Sequence, residues 1–420
     1  LKVGLIADTH VGRNIPRVVG ELRREAYRHA FSKAIDIFVE EGIDYVIHAG
    51  DLFEKRSMIP SDSLFVKNEL HRLVASIKEK WRKNVKIVVV RGNHDGTMDN
   101  SALEYVRHPL AEYFKVLGDE LLKGKMELFK EEELSIVALG YHPYIASKFE
   151  EVKPIVRESL SKASGKRFLV LHAFIRGYHD IPPGIPKHNT LALSDLEDLE
   201  ADIVVCGHHH MKKEPIKIHD KYFITPGATD AIDLADEGKY GVFIMENSSY
   251  KFIPIEPLHE IHNIKISSQG AIKPLEWFIK EAKVKLDSYA SSLSSKMSIL
   301  RLVLEGKSTE DPLKLDAELK MLESKLKEVK PSILYIQIEN NVESIEQSFI
   351  TPMGGQDAFI IEAMKPLGDL ISEAISIAKE VEDILDEKGS QKTGLLMPSD
   401  REPFIKKWIN ILKRKVEVEK

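Results

Sequence analysis

The stretch Lys2-Val3-Gly4-Leu5-Ile6-Ala7-Asp8-Thr9-His10 decides the fold, because it shows where this chain places its chemistry. A mostly apolar, β-branched run reads as a buried strand, and Asp8-Thr9-His10 begins where that strand stops. The pattern recurs through the first half. Run 45–49 leads into Gly50-Asp51, run 87–91 into Gly92-Asn93-His94-Asp95, run 168–171 into His172, and run 203–206 into Gly207-His208-His209-His210. Carboxylate, amide and imidazole groups at five strand ends can converge on one rim of a sheet. The carboxyl rim is where open α/β sheets gather their ligands.

Working outward, strands and helical stretches alternate up to Arg91. Helix 22–41 carries Ala26, Ala30, Ile37 and Phe38 among its apolar positions, and helix 62–80 carries Leu64, Leu70, Leu73 and Ile77. That order predicts a parallel sheet with crossover helices. After Met126 the strands 134–139, 168–171, 203–206, 222–224, 241–245 and 251–255 come with fewer helices, so a second, mixed sheet is expected. The predicted class is α/β, with two sheets face to face and helices outside.

A boundary falls near 254–258, giving a first domain over 1–257. A smaller α/β unit over 258–345 alternates strand 263–266, helix 272–289, strand 298–304, helix 312–329 and strand 333–338. Residues 346–420 form the remainder, with a linker over 339–355 and an amphipathic helix over 357–388. A last helix opens at Ser399 with Glu402 three positions on, a capping-box signature.

Composition narrows the partners. The chain has 420 residues, 43% hydrophobic and 30% charged, which is a globular balance. A net charge of −6 provides no global basic field, an argument against a pure DNA-binding module. It argues less against a nuclease, whose cations and local basic residues supply positive charge. The lone Cys206 sits in an apolar run and fits a reducing setting. No apolar stretch approaches the roughly 18 residues of a membrane span, so no membrane partner and a cytoplasmic location are expected.

Hydrolysis of a phosphodiester needs an activated water and stabilised phosphoryl charge, which two divalent cations roughly 3.5–4 Å apart supply. Asp51 is the natural bridging carboxylate. Asp8, His10 and His210 would complete one cation site, and Asn93, His172 and His208 the other. Oxygen and nitrogen ligands without thiolate suit manganese, with iron, zinc, cobalt or magnesium as alternatives. His94 follows a ligand directly and is expected to face substrate as proton donor, with Asp95 holding its other ring nitrogen. Alternation along a strand puts 208 and 210 on one face, so His209 is not expected to be a ligand.

These residues closely resemble the calcineurin-like metallophosphoesterase superfamily, matching its signature as Asp8-x-His10, Gly50-Asp51, Gly92-Asn93-His94-Asp95, His172 and Gly207-His208-x-His210. Within it the chain is similar to the Mre-eleven/SbcD family of double-strand-break repair nucleases. Asp8-Thr9-His10-Val11-Gly12, Gly50-Asp51-Leu52-Phe53 and Thr225-Pro226-Gly227-Ala228-Thr229 carry that likeness over residues 1–257, and architecture alone carries it beyond. The resemblance implies a four-layer αββα sandwich with two Mn2+ ions, manganese-dependent exonuclease and endonuclease action, and nucleoid association in a prokaryote. It also implies a DNA-contacting cap over 258–345, a homodimer, and terminal helices that bind a Rad-fifty/SbcC-like ATPase. Phe404, Ile405, Trp408, Ile409 and Leu412 make an apolar face suited to that partner. The family has a histidine three positions after the bridging aspartate, where this chain has Glu54. Arg13, Glu54, Lys55 and Arg56 are read as the substrate side, with Glu54 bringing negative charge near phosphate. Two alternatives stay open: a small-molecule phosphodiesterase or protein phosphatase of the superfamily, and a weakly catalytic paralogue that binds DNA or the ATPase.

Overall fold

The structure, a computed structural model, describes residues 1–96, 101–110, 112–236, 238–292 and 297–344. Two six-stranded sheets dominate. The first runs Ser249–Pro254, Gly241–Glu246, Lys2–Ile6, Tyr45–His48, Lys86–Val90, Phe114–Leu117 in spatial order. Its last four strands are mutually parallel, and Gly241–Glu246 joins Lys2–Ile6 antiparallel. The second runs Lys213–Ile218, Lys221–Thr225, Ile203–Gly207, Lys166–His172, Leu134–Leu139, Phe129–Lys130. Its four central strands are parallel and both edges antiparallel.

Period-two alternation then sorts each strand between two cores. Val3, Leu5, Ile47, Val88 and Val90 of the first sheet pack with Ile136, Ala138, Val170, Ile203 and Val205 of the second. Their neighbours Ile6, Val46, Ile87 and Val89 face outward onto helices Gly20–Glu41 and Pro60–Trp81. On the second sheet's outer side, Val137, Leu139, Leu169, Leu171, Val204 and Cys206 meet helix Ile145–Ser161. The layers are therefore helix, sheet, sheet, helix. Burial on both faces explains why the central strands read as continuous apolar runs.

Helix Gly20–Glu41 buries Ala26, Ala30, Phe31, Ala34, Ile35 and Phe38 at three- and four-residue spacing. It ends where Gly42, at φ 61°, turns its N–H back to the carbonyls of Phe38 and Val39. Pro60 starts the second helix at a position whose N–H has no helical partner in any case.

Two compact units divide the chain. One holds Leu1–Lys265 with Ala282–Val303 and Lys320–Glu339; the other holds Ile266–Glu281, Leu304–Leu319 and, of the described residues, 340–344. Strands Glu260–Ile272, Ser298–Ser308 and Ile333–Ser344 form a three-stranded sheet, with helices Leu275–Ser292 and Leu313–Val329 in the same stretch. The expected linker from 339 is corrected here, since 339–344 continue a strand despite Asn340 and Asn341. Helices Ala102–Leu110 and Ile145–Ser161 and strands Phe114–Leu117 and Lys213–Ile218 were not expected from the sequence. The helix over 357–388, the cap at Ser399 and the face Phe404, Ile405, Trp408, Ile409 and Leu412 lie outside the described residues.

Candidate metal centre

Strand ends of both sheets bring the polar segments together. Residues 8–11 run beside 50–54: Asp8 N–H donates to Gly50 O, His10 N–H to Asp51 O and Val11 N–H to Leu52 O, at 2.9–3.0 Å. Gly207 pairs with His172 across neighbouring strands, and the His208 N–H donates to the Asp8 carboxylate at 3.0 Å. Close approach fixes the glycines. A Cβ on Gly92 would stand 2.1 Å from Asp51 Oδ1, and one on Gly50 would stand 2.1 Å from His172 Nδ1. Asp8, His10, Asp51 and His208 all adopt left-handed backbone, with φ between 42° and 74°. Such residues cost about 1–3 kcal/mol each and persist where the scaffold over-determines them. Cores in which each buried Val, Leu or Ile contributes roughly 1.5–3 kcal/mol carry that load.

Among the described residues, three sets of donors each have their ligand atoms within 4.8 Å of one another: Asp8, His10 and His210; His10, Asp51 and His94; Asp51, His172 and His208. Asp51 belongs to two of them. Its Oδ1 accepts the His94 N–H at 2.8 Å. Its Oδ2 is buried, has no hydrogen-bond partner among the described residues, and lies 3.2 Å from His172 Nε2 and 3.8 Å from His10 Nε2.

Ring tautomers settle what those nitrogens present. His172 Nδ1 can only donate to the Ala49 carbonyl at 2.7 Å, so Nε2 is the nitrogen that faces Asp51 Oδ2 and Asn93 Oδ1, the latter 3.1 Å away. His10 Nδ1 likewise donates to Glu54 Oε2 at 3.0 Å, leaving a buried Nε2 that has no hydrogen-bond partner among the described residues. His208 Nδ1 is also buried and has no partner among the described residues. Ring nitrogens facing carboxylate and amide oxygens call for positive charge between them, carried by a proton in the metal-free protein and by a cation when one is bound. The donor set fits divalent cations: neutral imidazole, carboxylate and amide oxygen, without sulfur.

Titration behaviour has the same origin. Burial works against a charged His172, yet the adjacent Asp51 carboxylate lifts it to about 9. Burial, reinforced by Asp51, pushes Asp8 up to about 7 against the pull of His172 and His10. Burial and then its charged imidazole neighbours hold His208 and His210 near 3, keeping both as neutral ligands.

Two expectations need correction. Asp95 does not hold His94. It is buried and accepts the backbone N–H groups of Asp51, Phe53 and Gly92 at 2.9–3.1 Å, clamping the two loops that carry Asp51 and Asn93. His94 Nδ1 donates instead to the Glu54 carbonyl at 2.7 Å, which leaves Nε2 to exchange protons. Glu54 does not face a phosphate path either. It is 5% exposed, stands behind His10, and takes an Arg13 NH1 hydrogen bond at 2.9 Å. Arg13 in turn gives Nε–H to the Ile232 carbonyl. Lys55 and Arg56 are exposed.

His209 stacks on His179 at 4.6 Å, with ring planes 8° apart, and lies outside the three donor sets. Sequence reasoning passed over Tyr141, whose ring lies 5.5 Å from His208 and 6.4 Å from His172. The signal was present, since Tyr141 follows Gly140 at the end of strand Leu134–Leu139. It also missed buried His48, whose Nε2 is 3.0 Å from Thr9 Oγ1.

The calcineurin-like phosphoesterase family profile matches residues 1–212, half of the chain. The chain belongs to that family, and its clustered His and Asp donors form a divalent-metal site. Among curated relatives, the DNA double-strand break repair protein Mre11 of Methanococcus maripaludis is 26% identical over 244 residues, 56% of this chain and 59% of the relative. The protein of the same name from Archaeoglobus fulgidus is 25% identical over 302 residues, covering 64% of this chain and 62% of that one. The Sulfolobus acidocaldarius protein is 23% identical over 412 residues, 93% of this chain and 96% of that one. The matched region thus spans less than two thirds of the first two.

Proposed function

We propose that this chain is a manganese-dependent, two-metal DNA nuclease that processes the ends of double-strand breaks together with an SMC-like ATPase. The observation that carries the reading is Asp51 Oδ2, buried and within 3.8 Å of the Nε2 atoms of two imidazoles. Asp8, His10, Asp51 and His210 would hold one cation, and Asn93, Asp51, His172 and His208 the other. Bound there, the pair supplies an activated water and charge stabilisation on the phosphoryl oxygens. Substrate class comes from the relatives named for DNA double-strand break repair, and the ATPase partner from the family resemblance of the sequence.

The remaining work falls to the chain itself. His94, half-buried and tied at Nδ1, has Nε2 available to protonate the leaving alkoxide. Asp95 keeps the Asp51 and Asn93 loops in register. Residues 258–345 would contact DNA, and 404–412 the ATPase; the functional unit would be a homodimer. No helix among the described residues is long and apolar enough to cross a membrane.

The test is hydrolysis of linear duplex, hairpin and single-stranded DNA beside a cyclic nucleotide, with and without Mn2+. Manganese-dependent cleavage of DNA is the expected result. Turnover of the cyclic nucleotide alone would replace the reading with a small-molecule phosphodiesterase. Deleting residues 395–420 should spare cleavage and abolish capture of the ATPase.

A further inference from the structure

Glu54 is the chain's departure from the resembling family, and its surroundings give it a task. Its backbone is fixed: Glu54 N–H donates to Val11 O at 3.1 Å, and Phe53 bridges Val11 in parallel. Its side chain reaches back across that pairing to His10 Nδ1 at 3.0 Å. A carboxylate behind an imidazole fixes the ring's tautomer and orientation and makes the far nitrogen a stronger donor.

We propose that Glu54 is a positioning residue that sets the cation affinity of the Asp8, His10 and His210 side, with Arg13 holding it in place. This rests on the metal-centre reading. The pair is locally neutral, because Arg13 NH1 lies 2.9 Å from Glu54 Oε1. Glu54 therefore strengthens His10 without placing a free negative charge on the phosphate path. Arg13 is itself anchored to the Ile232 carbonyl, in the segment after Thr225-Pro226-Gly227-Ala228-Thr229. That segment also meets the site directly, since the Ala228 N–H donates to the His210 carbonyl at 2.8 Å. The same 228–232 stretch thus braces His210 directly and His10 through Arg13 and Glu54.

The experiment titrates chelator-stripped full-length protein with Mn2+ by calorimetry and records the His10 Nδ1–H resonance by NMR. Wild type should take up two cations. Glu54→Gln, which keeps shape and removes charge, should weaken one of them by about 10–100-fold, leave the other unchanged, and move the Nδ1–H resonance upfield. Arg13→Met should weaken the same cation by less. Melting in chelator should match wild type for Glu54→Gln. Two cations bound with wild-type affinity by Glu54→Gln would overturn the role, as would equal weakening of both. A wild type that bound no Mn2+ would overturn the metal centre itself, an outcome distinct from either.

Discussion

Two imidazoles approach Asp51 Oδ2, and what stands behind each differs. His10 is backed by the Glu54 carboxylate at 3.0 Å, itself paired with Arg13; His172 is backed by the Ala49 carbonyl at 2.7 Å. Both arrangements fix the tautomer that aims Nε2 inward. Only the first adds charge behind the ring. One side is therefore tuned by side chains that substitution can alter, and the other by backbone that no substitution removes. The two proposed cation sites would then be unequal.

Asp51 is common to both sides, so Asp51→Asn is the broadest break. Both cations and all phosphodiester hydrolysis should be lost, measured by metal analysis after gel filtration and by turnover of a chromogenic phosphodiester. One retained cation would mean that the two sides do not share this carboxylate. His94→Ala separates proton transfer from metal binding. Turnover should fall ~10²–10⁴-fold with both cations kept. Loss of a cation would instead make His94 a ligand, as its place in a donor set with His10 and Asp51 allows.

The smallest effect isolates the carbonyl-backed side. His172, lifted to about 9, is protonated in the metal-free protein at neutral pH, and a cation must displace that proton. Affinity there should climb with pH by up to roughly tenfold per unit and level off above 9. Calorimetry in buffers of different ionisation enthalpy measures the released proton. The same slope should persist in Glu54→Gln, since Ala49 and Asp51 are untouched.

The ligand-bearing loops were legible because each follows a strand buried on both faces, whose apolar run stops at the rim where polar groups begin. Helix Ile145–Ser161 was not read, although Ile145, Phe149, Val152, Val156 and Leu160 repeat at helical spacing. Pro154 inside it disguised the pattern. The role of Asp95 misled because adjacency in sequence suggested His94, whereas its carboxylate reaches Asp51 and Phe53, more than 40 residues away. Glu54 posed the same difficulty: 44 positions separate it from His10, and no local pattern encodes that contact.

The left-handed turns at Asp8, His10, Asp51 and His208 have a consequence for the protein's survival. They lie in segments far apart in the chain, and a cation bound only when these segments meet would tie them against local opening. A protein starved of divalent metal should then be nicked by proteases at these rim loops while its sheets are still intact. Metal supply would set how long the molecule lasts as well as how fast it works.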